Sequence, residues 1–98
     1  MSFNETIGQD SFQAGSGTAN NGAYAQLAGV TDAPSYKAVW IVNNGATNNL
    51  FISISSLSLG AFGYRLPPGK MIELQFKRAD IIEVAGDGGS TTYSWLAY

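Results

Sequence analysis

The chain has 98 residues with seven acidic and five basic side chains, a net charge of −2, and neither cysteine nor histidine. A chain of this length forms at most one small domain, and such domains usually need a disulfide, a metal or a neighbouring subunit for stability. Disulfides and thiolate metal sites are excluded, the commonest metal ligand and general base is missing, and there is no basic footprint for nucleic acid. We therefore expect a homo-oligomer with no metal, no cofactor and no nucleic-acid partner.

The basic residues divide the chain, because all five follow residue 36: Lys37, Arg65, Lys70, Lys77 and Arg78. Residues 1–22 combine low charge with low hydrophobicity, a composition that does not bury enough surface to order by itself. The segment nevertheless holds Phe3, Ile7 and Phe12. Two interpretations stay open: a passive terminus, or an extended arm that becomes ordered against another subunit. We favour the arm and take these three residues as its anchors and as candidate interface residues.

Strand signals begin at residue 23, with a short edge strand over residues 23–27. Residues 37–42 read Lys-Ala-Val-Trp-Ile-Val, which predicts a central strand covered on both sides, with Trp40 in the core. Asn44-Gly45 then suits the positive φ angles of a tight turn. The longest apolar run, residues 38–42, is far too short for a membrane span, so we expect no membrane partner.

The second half of the chain alternates between apolar and polar side chains, which is typical of half-buried strands. Residues 50–55 place Phe51 on the polar face, and this makes Phe51 a candidate interface residue. Further strands are predicted at residues 64–66, 70–77, 80–85 and 91–98, with a hairpin turn at residues 87–89. The pattern predicts an all-β fold: a small antiparallel β-sandwich or jelly-roll-like barrel over residues 23–98, preceded by the extended N-terminal arm.

Paired carboxylates are the only catalytic chemistry that the composition permits. Glu73 and Glu83 are expected on outward faces of neighbouring strands, but glycosidase chemistry needs carboxylates about 5–10 Å apart across a sugar-sized cleft. Solvated charges that keep strand edges soluble explain both residues better. A calcium site at Asp87 is disfavoured as well, because only one carboxylate lies in that turn. We therefore expect that the chain is not an enzyme.

Four aromatic side chains allow a different kind of binding site: Tyr64, Tyr93, Trp95 and Tyr98. Aromatic ring faces stack on sugars, so a carbohydrate platform is one interpretation of this set. In a small sandwich without disulfides, large aromatic residues more often form the core and the subunit interface. We favour the second interpretation and take Tyr64 and Tyr98 as candidate interface residues.

Three segments carry a resemblance to a known group of proteins: residues 36–45 (YKAVWIVNNG), 49–53 (NLFIS) and 66–70 (LPPGK). A strand ending in Asn-x-Gly, an Asn-initiated strand, a Leu-x-Pro-Gly turn and a C-terminal strand pair resemble the small β-sandwich virion proteins of tailed bacteriophages. The resemblance covers residues 36–98, and no functional residue carries over by motif.

The resemblance implies a capsid decoration (cement) protein, made in the host cytoplasm and located in the virion, with the capsid surface favoured. It also implies a symmetric homo-oligomer, for which we favour a trimer, that binds the major capsid protein or another virion protein. The alternative is a small carbohydrate- or receptor-binding module of a phage head fibre or tail.

Overall fold

The structure, a computed structural model, describes residues 13–31, 36–54, 64–75 and 77–98. Within these ranges the chain forms eight strands and no helix, so none of them holds a helix long and apolar enough to cross a membrane. The strands are β1 (Gln13–Ala19), β2 (Ala25–Gln26), β3 (Val39–Asn43), β4 (Asn49–Ile54), β5 (Tyr64–Leu66), β6 (Met71–Leu74), β7 (Ile82–Asp87) and β8 (Thr91–Ala97).

The strands form two four-stranded antiparallel sheets that pack face to face. The order is β1-β8-β3-β6 in the first sheet and β2-β7-β4-β5 in the second sheet. The pairs β1·β8, β2·β7, β3·β6 and β4·β5 are nested, as in a long hairpin rolled into two layers, and this nesting is the jelly-roll topology. The predicted all-β antiparallel sandwich is confirmed, and the strand order gives its form.

The core lies between the two sheets and is built from alternate residues of their strands. Its main members are Val39, Ile41, Leu50, Ile52, Leu66, Ile82, Val84, Tyr93, Trp95 and Ala97. The two large aromatics keep their polar atoms paired, because Trp95 Nε1 donates to the Ala28 carbonyl at 2.9 Å and the Tyr93 hydroxyl accepts from the Ala28 N–H at 2.8 Å. The interior is therefore filled by side chains, with the loop around Ala28 closing over the rings.

The first strand lies in the segment that the sequence assigned to the arm. β1 pairs with β8 along all seven of its residues, from Gln13 opposite Ala97 onward. The predicted boundary at residue 23 is therefore wrong, since the sandwich includes residues 13–22. The sequence pattern did not indicate a strand here because the segment contains Gly15 and Gly17, and glycine is depleted in strands. At residue 15 a Cβ would lie 2.7 Å from Trp95 Nε1, so the close packing of that ring requires glycine.

Two predicted tight turns prove to be connections between the sheets. β3 and β4 belong to different sheets, and so do β7 and β8, so neither the loop after Asn43 nor the one after Asp87 closes a hairpin. Gly45 does not have a positive φ angle, whereas Gly88 has a φ of 83°. Glycine is required at residue 45 because the Thr91 side chain packs directly against it: a Cβ there would lie 1.9 Å from Thr91 Oγ1.

β3 corrects the expected position of Trp40. Val39, Ile41 and Asn43 are buried between the sheets, while Trp40 and Val42 are half-buried and point outward. The prediction that Trp40 lies in the core is wrong, because alternation along a strand sends its neighbours Val39 and Ile41 inward and Trp40 to the other face. The strand is covered by the second sheet on its inner side only.

Candidate functional site

The outer side of the first sheet carries a group of apolar side chains that we call the apolar face: Trp40, Val42, Met71 and Leu96. The strand register places Trp40 opposite Leu96 and Val42 opposite Met71, so that the four side chains are neighbours across three strands. An open cavity of about 200 Å³ lies over them and also touches Ser94 and Trp95. The patch is contiguous and partly exposed, with Met71 as its most exposed member. Because contiguous apolar patches are one mark of binding surfaces, we take this face as the candidate site.

One end of the apolar face is bordered by Tyr98. The Trp40 Nε1 donates to the Tyr98 hydroxyl at 3.3 Å. The backbone holds this end in place, because the Lys37 and Ala38 N–H groups both donate to the Tyr98 carbonyl and the Tyr98 N–H donates to the Ala38 carbonyl. Tyr98 is 41% exposed, so the two rings form a fixed aromatic border with one ring still open to a partner.

Polar groups stand at the margin of the apolar face. The Asn44 Nδ2 donates to the Ser94 hydroxyl at 2.8 Å, and the exposed Glu73 lies opposite Trp40 on β6. At the Tyr98 end, the Lys77 carbonyl accepts from the Tyr36 N–H, which brings the exposed Lys77 close to the exposed Lys37. Within the described ranges neither lysine forms an ion pair. The Tyr98 end therefore carries two exposed lysines as well as the exposed Glu73 opposite Trp40.

The two consecutive basic residues Lys77 and Arg78 have different surroundings. Arg78 Nε donates to the Asp80 carboxylate at 2.8 Å, and its Nη2 bonds the other carboxylate oxygen. These bonds to Arg78 lower the pKa of the Asp80 side chain below its ordinary value of 3.8, against a weaker opposing effect of burial. Of the two charges, only that of Lys77 is open to a partner.

The candidate interface residues from the sequence do not form one surface. Phe3, Ile7 and Phe12 lie outside the described residues. Tyr98 joins the apolar face, but Phe51 and Tyr64 are in the second sheet, on β4 and β5. Tyr64 is 55% exposed.

Phe51 is already covered by a neighbouring side chain. Arg65 Cζ lies 5.3 Å from the centre of the Phe51 ring, and Arg65 Nε lies 3.0 Å from Asp87 Oδ2. Asn49 Nδ2 also donates to that oxygen, at 3.2 Å. Asp87 is thus engaged by two side chains of this cluster, and no group of three or more possible metal ligands occurs among the residues that the structure describes.

Two other sets of residues are separated by the fold. Glu73 lies on β6 of the first sheet and Glu83 on β7 of the second, so the expectation that they occupy neighbouring strands is wrong. The four-aromatic platform does not form either, because Tyr93 and Trp95 are only 2% and 3% exposed inside the sandwich. The two glutamates are separated because their strands belong to different sheets, whereas Tyr93 and Trp95 are buried because alternation along β8 turns both inward.

The members of the apolar face were not singled out from the sequence as a site. One signal did point to part of the set: residues 38–42 are apolar on both faces of a strand, and a sandwich of two sheets packed face to face covers only one of those faces. An apolar outward face beyond that core indicates a partner. Met71 and Leu96 could not be found in this way, because only the β3 pairings bring them next to Trp40 and Val42.

No protein-family model matches the chain, and no curated protein sequence matches it either. Among solved structures, the chain is similar to the polyketide cyclase RemF from Streptomyces resistomycificus, with a TM-score of 0.51 and 12% sequence identity. The similarity covers 95% of this chain and 58% of the RemF chain. At this level of identity the likeness shows a shared fold alone.

The likeness to RemF corrects one expectation from the sequence. The sequence predicts that the chain is not an enzyme, and this prediction is contradicted because a protein with this fold is a polyketide cyclase. The missing histidine and cysteine side chains restrict the chemistry of a site, but a fold hosts many functions, so they do not settle its class. The cyclase activity itself is a property of RemF.

Proposed function

We propose that the chain is a structural protein of a virus particle, with a capsid decoration protein as the favoured form, and that it works as a homo-oligomer through the apolar face. The observation that carries the proposal is the contiguous set Trp40, Val42, Met71 and Leu96 on the outside of the first sheet. Jelly rolls are common in viral capsid proteins, which supports the virion context together with the resemblance over residues 36–98.

The composition of the apolar face supports a contact between proteins. Aromatic residues and methionine are enriched at protein interfaces, and buried Trp and Tyr side chains contribute most of the binding energy there. Met71 is 55% exposed, so much of its surface is available for burial by a partner. A stable interface buries about 800 Å² on each partner, more than these four side chains can supply. The contact surface would therefore also include the neighbouring small residues of β1 and β8.

A small core gives a second reason for association. A domain of this size buries only about 60–65% of the surface that its unfolded chain exposes, and binding to a folded partner adds stability to the folded state. As a symmetric oligomer, with a trimer favoured, the protein would link neighbouring subunits of the major capsid protein on the capsid surface. The proposed role is to reinforce that shell.

The proposal is tested with one charge placed on the apolar face. Leu96→Lys puts an ammonium group against Trp40 of the same copy and against any partner, so we expect the purified protein to change from an oligomer to a monomer of 10.3 kDa by light scattering. Thr92→Lys is the matched control, because Thr92 is an exposed residue of the same strand and the same sheet face but does not line the cavity. A wild-type chain that is monomeric at high concentration contradicts the proposal.

A carbohydrate-binding module is the second candidate, and the position of Trp40 is the observation that favours it. Its half-buried ring lies beside a hydroxyl group from Tyr98 and another from Ser94, and rings with nearby hydroxyls suit sugar binding. Glycan titration should then shift the fluorescence of Trp40, and Trp40→Phe should abolish the shift. Absence of any shift across a glycan panel counts against this candidate and leaves the first one standing.

A further inference from the structure

We propose that the apolar face binds residues 1–12 of a neighbouring copy, so that the oligomer is held together by exchanged N-terminal arms. The inference rests on the proposed oligomer and specifies its contact. Three features of the described residues support it: the place where β1 begins, the apolar character of the face, and the charge at its Tyr98 end.

The chain enters the sandwich next to the apolar face. Gln13, the first residue of β1, pairs with Ala97, and Ala97 also pairs with Val39 at the start of β3. Residues 1–12 therefore precede the sandwich at the end where Tyr98 and Trp40 lie. Twelve residues span up to about 40 Å when extended, a length that reaches across one sheet of an adjacent copy.

The direction of β1 favours a neighbouring copy over the same copy. β1 runs from the Tyr98 end toward the opposite end of the sheet, alongside β8. To cover its own apolar face, the preceding segment would have to reverse direction immediately before Gln13 and run back along the sheet. A segment that continues outward past the Tyr98 end needs no reversal, and exchange of identical segments between copies is a common route to closed oligomers.

The side chains of the segment match those of the face. Phe3 and Ile7, which lie farther from Gln13 along the chain than Phe12, supply large apolar groups to a surface whose cavity is lined mainly by Trp40, Val42, Met71 and Leu96. Burial of large apolar side chains stabilises a contact in proportion to the apolar area removed from water, so these side chains are the ones able to anchor an otherwise polar segment.

The charges of the segment are complementary to the end of the face. Residues 1–12 contain Glu5 and Asp10 and no basic side chain. The exposed Lys37 and Lys77 stand at the Tyr98 end and are the side chains there that can pair with these carboxylates. Opposite charges placed in this way set the register and the direction of the arm and speed association, and they make assembly sensitive to salt.

Complementation between two full-length variants tests the exchange. The arm variant carries Phe3→Ser and Ile7→Ser, and the face variant carries Met71→Lys, whose side chain is 55% exposed and so tolerates the change in the folded chain. We expect each variant alone to be monomeric. When mixed in equal amounts, they should form a heterodimer, because the intact arm of the face variant fits the intact face of the arm variant. Native mass spectrometry separates the heterodimer from either homodimer by mass.

The outcomes separate this inference from the proposed function. If the arm variant assembles like the wild type while the face variant does not, the copies meet face to face; the exchange is then overturned and the proposed oligomer stands. If the mixture gives no heterodimer although circular dichroism shows both variants folded, the exchange is also overturned. A monomeric wild type overturns both. Thr92→Lys in place of Met71→Lys is the control and should assemble without a partner variant.

Discussion

At the scale of single residues, the buried Asn43 side chain links the strands at one end of the sandwich by hydrogen bonds. Its side chain is fully buried, and Nδ2 donates to the carbonyls of Asn48 and Leu66, both at 3.0 Å. Its Oδ1 accepts from the Gly45 N–H at 2.9 Å and from the Thr91 hydroxyl at 2.7 Å. One amide therefore joins strands of both sheets, and every hydrogen-bonding position of that amide is used.

Asn43→Ala should lower the free energy of unfolding by about 3 kcal/mol, because it leaves several buried donors and acceptors without a partner. Asn44→Ala is the control: its side chain is exposed and, among the described residues, bonds the Ser94 hydroxyl alone. We expect the control to change stability by less than about 0.5 kcal/mol, as surface substitutions usually do. Urea denaturation of both variants measures the difference. Equal stabilities would mean that water replaces the buried amide.

At the scale of elements, β1 shows how a strand with little side-chain volume is fixed by its neighbours. Its inward positions include Gly15 and Gly17, and the side chains of Trp95 and Tyr93 occupy the space that they leave. The strand is held by its pairing with β8 and by the packing of the Ala28 loop over it. The stability of β1 thus comes from backbone pairing and from partner rings instead of its own apolar side chains.

Gly15→Ala should destabilise the protein by about 1–3 kcal/mol, because the new methyl group overlaps Trp95 and the Ala28 carbonyl. Displacement of Trp95 should also alter the tryptophan fluorescence of the folded protein. Ser16→Ala serves as the control, since Ser16 is exposed and faces outward on the same strand. A Gly15→Ala variant as stable as the wild type would show that β1 detaches from the sandwich without loss.

At the scale of the whole molecule, the two tryptophans have opposite positions in the fold. Trp95 lies between the sheets, 3% exposed and bonded to the Ala28 carbonyl. Trp40 lies on the outside of the first sheet, at the centre of the apolar face. The sequence contains no other tryptophan, so the pair separates folding from association in a single comparison.

Trp95→Ala should destabilise the fold by about 3–5 kcal/mol, enough to unfold a domain of this size. Trp40→Ala should leave the chain folded by circular dichroism and abolish the oligomer by light scattering. Thermal unfolding of both variants is followed by circular dichroism. The chain concentration is the same in both experiments, because stability depends on concentration when subunits associate. An unfolded Trp40→Ala chain would show that this ring stabilises the monomer, in disagreement with its outward position.

The sequence by itself determined that the protein is all-β and where most strands lie. The alternation in residues 50–55 and 91–98 depends only on which neighbours along the chain are apolar, and β4 and β8 follow it closely. The same signal identified Tyr93 and Ala97 as sharing a face. Local patterning carries this information because successive side chains of a strand always point to opposite sides.

Only the tertiary structure decided which strands meet and which outward faces stay uncovered. The switch between sheets after Asn43 and after Asp87 puts Glu73 and Glu83 on different sheets and brings Met71 and Leu96 next to Trp40. Pairings of this kind join residues far apart in sequence, and no period within one strand encodes them. The apolar run of β3 was visible in the sequence, but its neighbours Met71 and Leu96 were not, because they reach it only through pairing with β6 and β8. The glycine-containing β1 is likewise fixed by its pairing with β8, at the other end of the chain.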